Sequence, residues 1–197
     1  MEAFLVSIGV VAIAEMGDKT QLLALMLAAR YRAPVSIMLG ILLATVLNHG
    51  LAAWMGVLAA DFVGPGALRW ILGASFLVMA AWVLAPDKAG DDPGLAKRTS
   101  AFTATLISFF LVEIGDKTQI ATIALAARYN DVALVAAGTT LGMMLANIPA
   151  VYAGSFALAK LPLKAIRIGA AILFAALGLA ALFDLGAGVL GTGTSPP

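Results

Sequence analysis

Glu15, Asp18 and Lys19, followed by Thr20 and Gln21, stand in the middle of an otherwise hydrocarbon segment, in the string EMGDKTQ (15–21). Nearly the same string, EIGDKTQ, returns at 113–119 with Glu113, Asp116, Lys117, Thr118 and Gln119. Carboxylate, hydroxyl and amide oxygens without a thiolate suit a hard or borderline divalent cation such as Ca²⁺, Mn²⁺ or Mg²⁺. Zinc or copper would more naturally be met by cysteine or several histidines. This chain has no cysteine and a single histidine, His49. Each motif holds two acids and one lysine, so two facing motifs carry a net charge of −2. One divalent cation neutralises that charge, and so do two protons. A pocket that can be neutral in either way meets the electrostatic requirement for exchanging one for the other.

The elements that must position these groups are apolar helices. Of 197 residues, 62% are hydrophobic and 12% charged, with a mean hydropathy of +1.01. A soluble domain averages about half apolar and a quarter charged. Six apolar stretches, near 4–29, 34–60, 67–85, 101–127, 132–157 and 164–184, read as transmembrane helices of an all-α integral membrane protein. The first is not a signal peptide: it lacks a basic leader, and its centre carries charges that no such core holds. Pro34, Gly64-Pro65-Gly66, Pro86, Pro93 and Pro162 punctuate the stretches. Pro149 lies inside the fifth and is expected to kink it. A net charge of +1 gives no field for nucleic acid, and the missing cysteine excludes disulfides and thiol chemistry. No catalytic residue and no resident cofactor is expected; the partners are a divalent cation, protons and the lipid bilayer, with a homo-oligomer compatible.

The chain repeats itself. A shift of 98 residues overlays 15–31 on 113–129 with eleven identities in seventeen, and aligns Gly40 with Gly138, Gly56 with Gly154 and His49 with Asn147. Residues 1–85 form a first three-helix unit and 86–100 a polar cytoplasmic linker. Residues 101–190 form the second unit and 191–197 a frayed tail. Three crossings per unit is odd, so the second copy runs in the opposite sense. That inverted-topology 3+3 plan is common among secondary transporters, with the site at the midplane. Arg30, Arg32, Lys88, Lys97, Arg98, Lys160, Lys164 and Arg167 fall on one side of the membrane and Arg69 and Arg128 on the other, eight against two. The richer side is cytoplasmic, and both termini face outward.

At mid-membrane each acid costs roughly 2.5–3.5 kcal/mol, so neither motif can face lipid. On a regular helix Glu15, Asp18 and Lys19 share about 100° of arc, with Gly17, Thr20 and Gln21 on the far side. The two helices are therefore central, or locally broken at Gly17 and Gly115. Lys19 follows Glu15 at the favourable four-residue spacing; it and Lys117 read as charge compensation. Thr20, Gln21, Thr118, Gln119 and Asn147 are oxygen ligands or helix-packing hydrogen bonds. His49 is a candidate proton relay, and Met143 and Met144 are packing or soft ligands. The linker acids Asp87, Asp91 and Asp92 read as a solvated loop.

Two copies of E-x-G-D-[KR]-[ST] in a six-helix chain resemble the Gdt family of cation/proton antiporters, which includes Golgi manganese/calcium transporters and bacterial manganese exporters. The resemblance implies export of Mn²⁺ or Ca²⁺ from the cytosol, driven by proton entry. It implies Glu15, Asp18, Glu113 and Asp116 as ion-binding acids, and matches the motif lysine and threonine at Lys19, Thr20, Lys117 and Thr118. A compact chain fits a member of the bacterial inner membrane, with manganese efflux as its task. An exporter of small amino compounds, or a membrane assembly protein that transports nothing, are the alternative readings of the same residues.

Overall fold

The computed structural model describes residues 1–85, 99–153 and 162–183. Linker residues 86–98, the stretch 154–161 with Gly154 and Lys160, and the tail from 184 onward lie outside the described residues. All regular structure among the described residues is helical: α1 (Glu2–Glu15), α2 (Lys19–Tyr31), α3 (Pro34–Phe62), α4 (Pro65–Trp82), α5 (Ala101–Glu113), α6 (Lys117–Tyr129), α7 (Val132–Ala153) and α8 (Leu163–Leu182). Pro34 and Pro65 open α3 and α4 at the first helical position, where a missing N–H costs nothing. Ser100 caps α5 by accepting from the Thr103 N–H at 3.2 Å. Pro149 lies inside α7, which continues to Ala153.

The stretches placed at 4–29 and 101–127 are each two helices, broken at Gly17 and Gly115 as one of the two expectations had it. Between α1 and α2, Met16 is extended and Gly17 takes φ 78°; between α5 and α6, Ile114 is extended and Gly115 takes φ 76°. A side chain rarely adopts such a positive φ, and glycine does so without a Cβ penalty. Each break frees backbone donors that must be satisfied away from water. The two glutamines supply acceptors: Gln21 Oε1 accepts from the Gly17 N–H and Gln119 Oε1 from the Gly115 N–H, both at 2.8 Å. The same break therefore recurs at the equivalent position of each copy of the motif.

The repeat persists in the packing. α1 lies chiefly on α7 and α5 on α3, while α2 touches α7 as α6 touches α3. α3 and α7 pack together, and α4 pairs with α8. Two equivalent glycines set the close approaches. A Cβ on Gly40 would stand 2.9 Å from the Phe102 carbonyl oxygen and 2.8 Å from Thr105 Cβ. One on Gly138 would stand 2.6 Å from the Phe4 carbonyl oxygen and 2.8 Å from Ser7 Cβ. Gly138→Ala is accordingly expected to destabilise the protein by about 1–3 kcal/mol, because backbone must move. Gly9→Ala, with nothing among the described residues within 4 Å of the new methyl, should not. Paired melting curves in detergent check this, and equal melting temperatures would count against the close packing.

Polarity is distributed inside out. Leu39, Trp54, Phe62, Trp70, Val78 and Ile172 are exposed, whereas Glu15, His49, Glu113 and Asn147 are buried. Apolar surface outside and ionisable groups inside is what a hydrocarbon solvent selects. α3, α7 and α8 are each long and apolar enough to cross a membrane, which makes this an all-α bundle with at least three candidate spans.

One feature departs from the repeat. α4 reaches α6 and α8 reaches α1, while the equivalent pairings, α8 with α2 and α4 with α5, are marginal. Consistent with this, Leu163 at the start of α8 covers Gly17, where a Cβ would meet its Cδ2 at 2.9 Å, and among the described residues nothing lies within 4 Å of the same point on Gly115.

Candidate cation site

The two breaks bring the motifs together. Carboxylate oxygens of Glu15, Glu113 and Asp116 all lie within 4.8 Å of one another, and all three residues are buried. Asp18 is buried beside them. The lysines cross between repeats: Lys19 Nζ lies 2.7 Å from Asp116 Oδ1, and Lys117 Nζ bonds Asp18 Oδ1. The expected pairing of Lys19 with Glu15 four residues earlier is replaced by this crossed arrangement. A three-residue break removes the helical register that the four-residue spacing needs, and the facing aspartate is nearer. The environment is unequal, for Lys19 is 27% exposed and Lys117 only 4%.

The break also overturns the helical-wheel assignment of the threonines to the far side. Thr20 Oγ1 donates to Glu15 Oε2 and lies 3.4 Å from Asp18 Oδ2. Thr118 Oγ1 stands 3.2 Å from Glu113 Oε2 and 3.3 Å from Asp116 Oδ2. Each hydroxyl therefore fixes the two acids of its own motif. The glutamines lie one step further out. Besides holding the glycine N–H, Gln21 donates from Nε2 to the Ala146 carbonyl at 2.7 Å, tying the first break to α7.

Electrostatics single out the glutamates. With each aspartate matched to a lysine, the remaining −2 is the charge of Glu15 and Glu113. Glu15 Oε1 and Glu113 Oε1 have no hydrogen-bond partner among the described residues. A bare buried carboxylate is costly, so the pair requires either a cation or protons. Around them, Asn147 donates from Nδ2 to the Met143 carbonyl at 3.0 Å and contacts Met143 Sδ at 3.2 Å, leaving its Oδ1 unpartnered. His49 Nε2 lies 3.8 Å from Glu113 Oε2. Asn48, which sequence reasoning passed over, donates to the Phe110 carbonyl at 3.1 Å and ties α3 to α5. Its signal was available: a second amide beside His49 in an apolar helix. Asp87, Asp91 and Asp92 lie outside the described residues.

A family model described as "Divalent cation/proton antiporter GDT1" matches the chain twice, over residues 3–91 and 101–188. The chain belongs to the GDT1 family. A Vibrio cholerae protein named "Putative manganese exporter" is 51% identical over 184 residues, covering 93% of this chain and 92% of that protein. A GDT1-like protein of Synechocystis sp. is 28% identical over 193 residues, covering 88% and 93%. GDT1-like protein 4 of Oryza sativa is 29% identical over 209 residues, covering 92% and 73%. No solved structure matches the chain. As a GDT1 protein it is a secondary transporter of divalent cations coupled to protons, not an enzyme. The doubled family match coincides with the two copies of the motif, the first supplying Glu15 and the second Glu113 and Asp116 to the cluster.

Proposed function

We propose that the protein exports Mn²⁺ from the bacterial cytoplasm, with Ca²⁺ as a second substrate, in exchange for entering protons. Glu15 and Glu113 are the exchangeable pair. In the proton-loaded form each carries one proton and the crossed lysines hold Asp18 and Asp116, so the pocket is neutral. A divalent cation entering from the cytosol displaces both protons and is held by the glutamates, joined by Asp116 as Lys19 swings aside. Thr20 and Thr118 orient the carboxylates, Gln21 and Gln119 keep the breaks open beside the ion, and Asn147 Oδ1 is a further oxygen donor. The observation that carries this is the buried gathering of Glu15, Glu113 and Asp116 with the two glutamate Oε1 atoms unpartnered. Manganese as the substrate is favoured by the 51% identical Vibrio cholerae relative.

The architecture in this proposal is six transmembrane helices in an inverted 3+3 repeat in the inner membrane, both termini outside, the first and fourth helices broken at their centres. It is supported by the 98-residue repeat, the eight-to-two excess of basic residues on one side, and the reciprocal glycine contacts. In that orientation α1 and α6 are the outer halves of the broken helices. The preference of α4 and α8 for them corresponds to a site sealed from outside and offered to the cytosol.

Purified protein in proteoliposomes tests the reading. An acidic exterior should drive Mn²⁺ outward, and cells lacking the protein should become sensitive to excess manganese. Flux unchanged by the pH gradient would point to a uniporter.

A further inference from the structure

We propose that His49 is a nitrogen ligand to the transported ion and tilts the site toward a first-row transition cation over Ca²⁺ and Mg²⁺. The inference rests on the reading of Glu15 and Glu113 as the ion site and adds the residue that sets its selectivity. His49 is 0% exposed, on α3, and neither ring nitrogen has a hydrogen-bond partner among the described residues. A buried histidine kept for packing normally ties at least one nitrogen to a carbonyl or hydroxyl. This one has both nitrogens unspent and directs Nε2 at Glu113.

The separation fits shared coordination. At 3.8 Å from Glu113 Oε2, Nε2 is too far for a hydrogen bond. Two ligands each about 2.2 Å from one ion are that far apart when the angle between them is about 120°, within the range that transition-ion sites adopt. Glu113 belongs to the three-acid cluster and His49 lies outside it, so an ion shared with the imidazole sits on the Glu113 side and draws the other carboxylates toward α3.

Chemistry supplies the consequence. Ca²⁺ and Mg²⁺ take oxygen ligands, whereas an imidazole nitrogen binds first-row transition ions, with an affinity that is lowest for Mn²⁺ and rises toward Cu²⁺. The repeat offers a contrast, because the equivalent of His49 is Asn147, whose free atom is the oxygen Oδ1. One repeat thus brings a nitrogen and the other an oxygen. A pocket of acids with one nitrogen favours Mn²⁺ over Ca²⁺, and with fewer nitrogens than a multi-histidine site it holds the later first-row ions less tightly than such a site would.

The experiment is pulsed electron paramagnetic resonance of Mn²⁺ bound to the intact protein in detergent, with flux measured in parallel. Bound Mn²⁺ should show ¹⁴N hyperfine modulation that disappears in His49→Asn. The same variant should lower the Mn²⁺-to-Ca²⁺ flux ratio by about tenfold. Mn²⁺ bound to the native protein without ¹⁴N modulation overturns the proposal, and that measurement does not depend on the variant folding. Modulation that persists in His49→Asn, or equal loss of both fluxes, as a proton relay would give, also overturns it. A native protein that binds no Mn²⁺ at all removes the site itself, a failure told apart because no bound spectrum exists to inspect.

Discussion

Glu15→Gln and Glu113→Gln are each expected to cut Mn²⁺ flux by more than about 100-fold, since even residues that merely support a metal ligand cost about 10–100-fold when changed. Either change leaves the bound state one charge too positive among buried groups. Neither should unfold the protein. Glu15 Oε1 and Glu113 Oε1 lack hydrogen-bond partners among the described residues, so a neutral amide of the same shape relieves an unpaired buried group. Melting temperature should stay level or rise while transport is lost, the trade-off seen where function requires strained or unpaired groups. Flux measured in proteoliposomes at matched protein content is the check. Native flux in both variants would remove the glutamates from the mechanism, and loss of folding in both would make them structural.

The crossed ion pairs predict the opposite signature. Lys117→Met leaves the buried Asp18 carboxylate without the ammonium that bonds it, and breaking a buried pair from one side costs about 3–5 kcal/mol. Adding Asp18→Asn removes the stranded charge and should restore most of that loss. Lys19 is 27% exposed, so water can screen Asp116 and Lys19→Met should cost less. Thermal unfolding of the single and double variants in detergent separates these cases. Additive losses in the Lys117/Asp18 cycle would show that the pair is not coupled.

How much of this could be read from residues alone differs from one part to another. The repeat, the four acids and their need to be central were legible, because they depend on composition and depth and on no three-dimensional detail. Gly17 and Gly115 marked the two places where a helix could open, but a glycine within an apolar segment serves close packing equally well. Only their φ of 78° and 76° decides between the two. Once the helix opens, periodicity misleads: the wheel places Thr20 opposite Glu15, and the break brings them into a hydrogen bond. Lys19 had a good partner at four-residue spacing within its own helix. Its actual partner, Asp116, sits in the other repeat, beyond the reach of any local rule. Gln21 was assigned to the ion or to packing by residue type, and its bond to the Gly17 N–H became visible only with the break. His49 and Asn147 were found as repeat equivalents, but their unpartnered atoms required coordinates.

The central claim is that one cation and two protons are alternative occupants of the same two carboxylates. It predicts electroneutral exchange, and the most direct measurement is the stoichiometry. Protein would be reconstituted with a trapped pH dye, the membrane voltage clamped by potassium and valinomycin, and Mn²⁺ uptake counted alongside proton release. Two protons should move per Mn²⁺, at a rate indifferent to the imposed voltage. Mn²⁺ that moves with no proton counter-flow, or at a rate that follows the voltage, would contradict it.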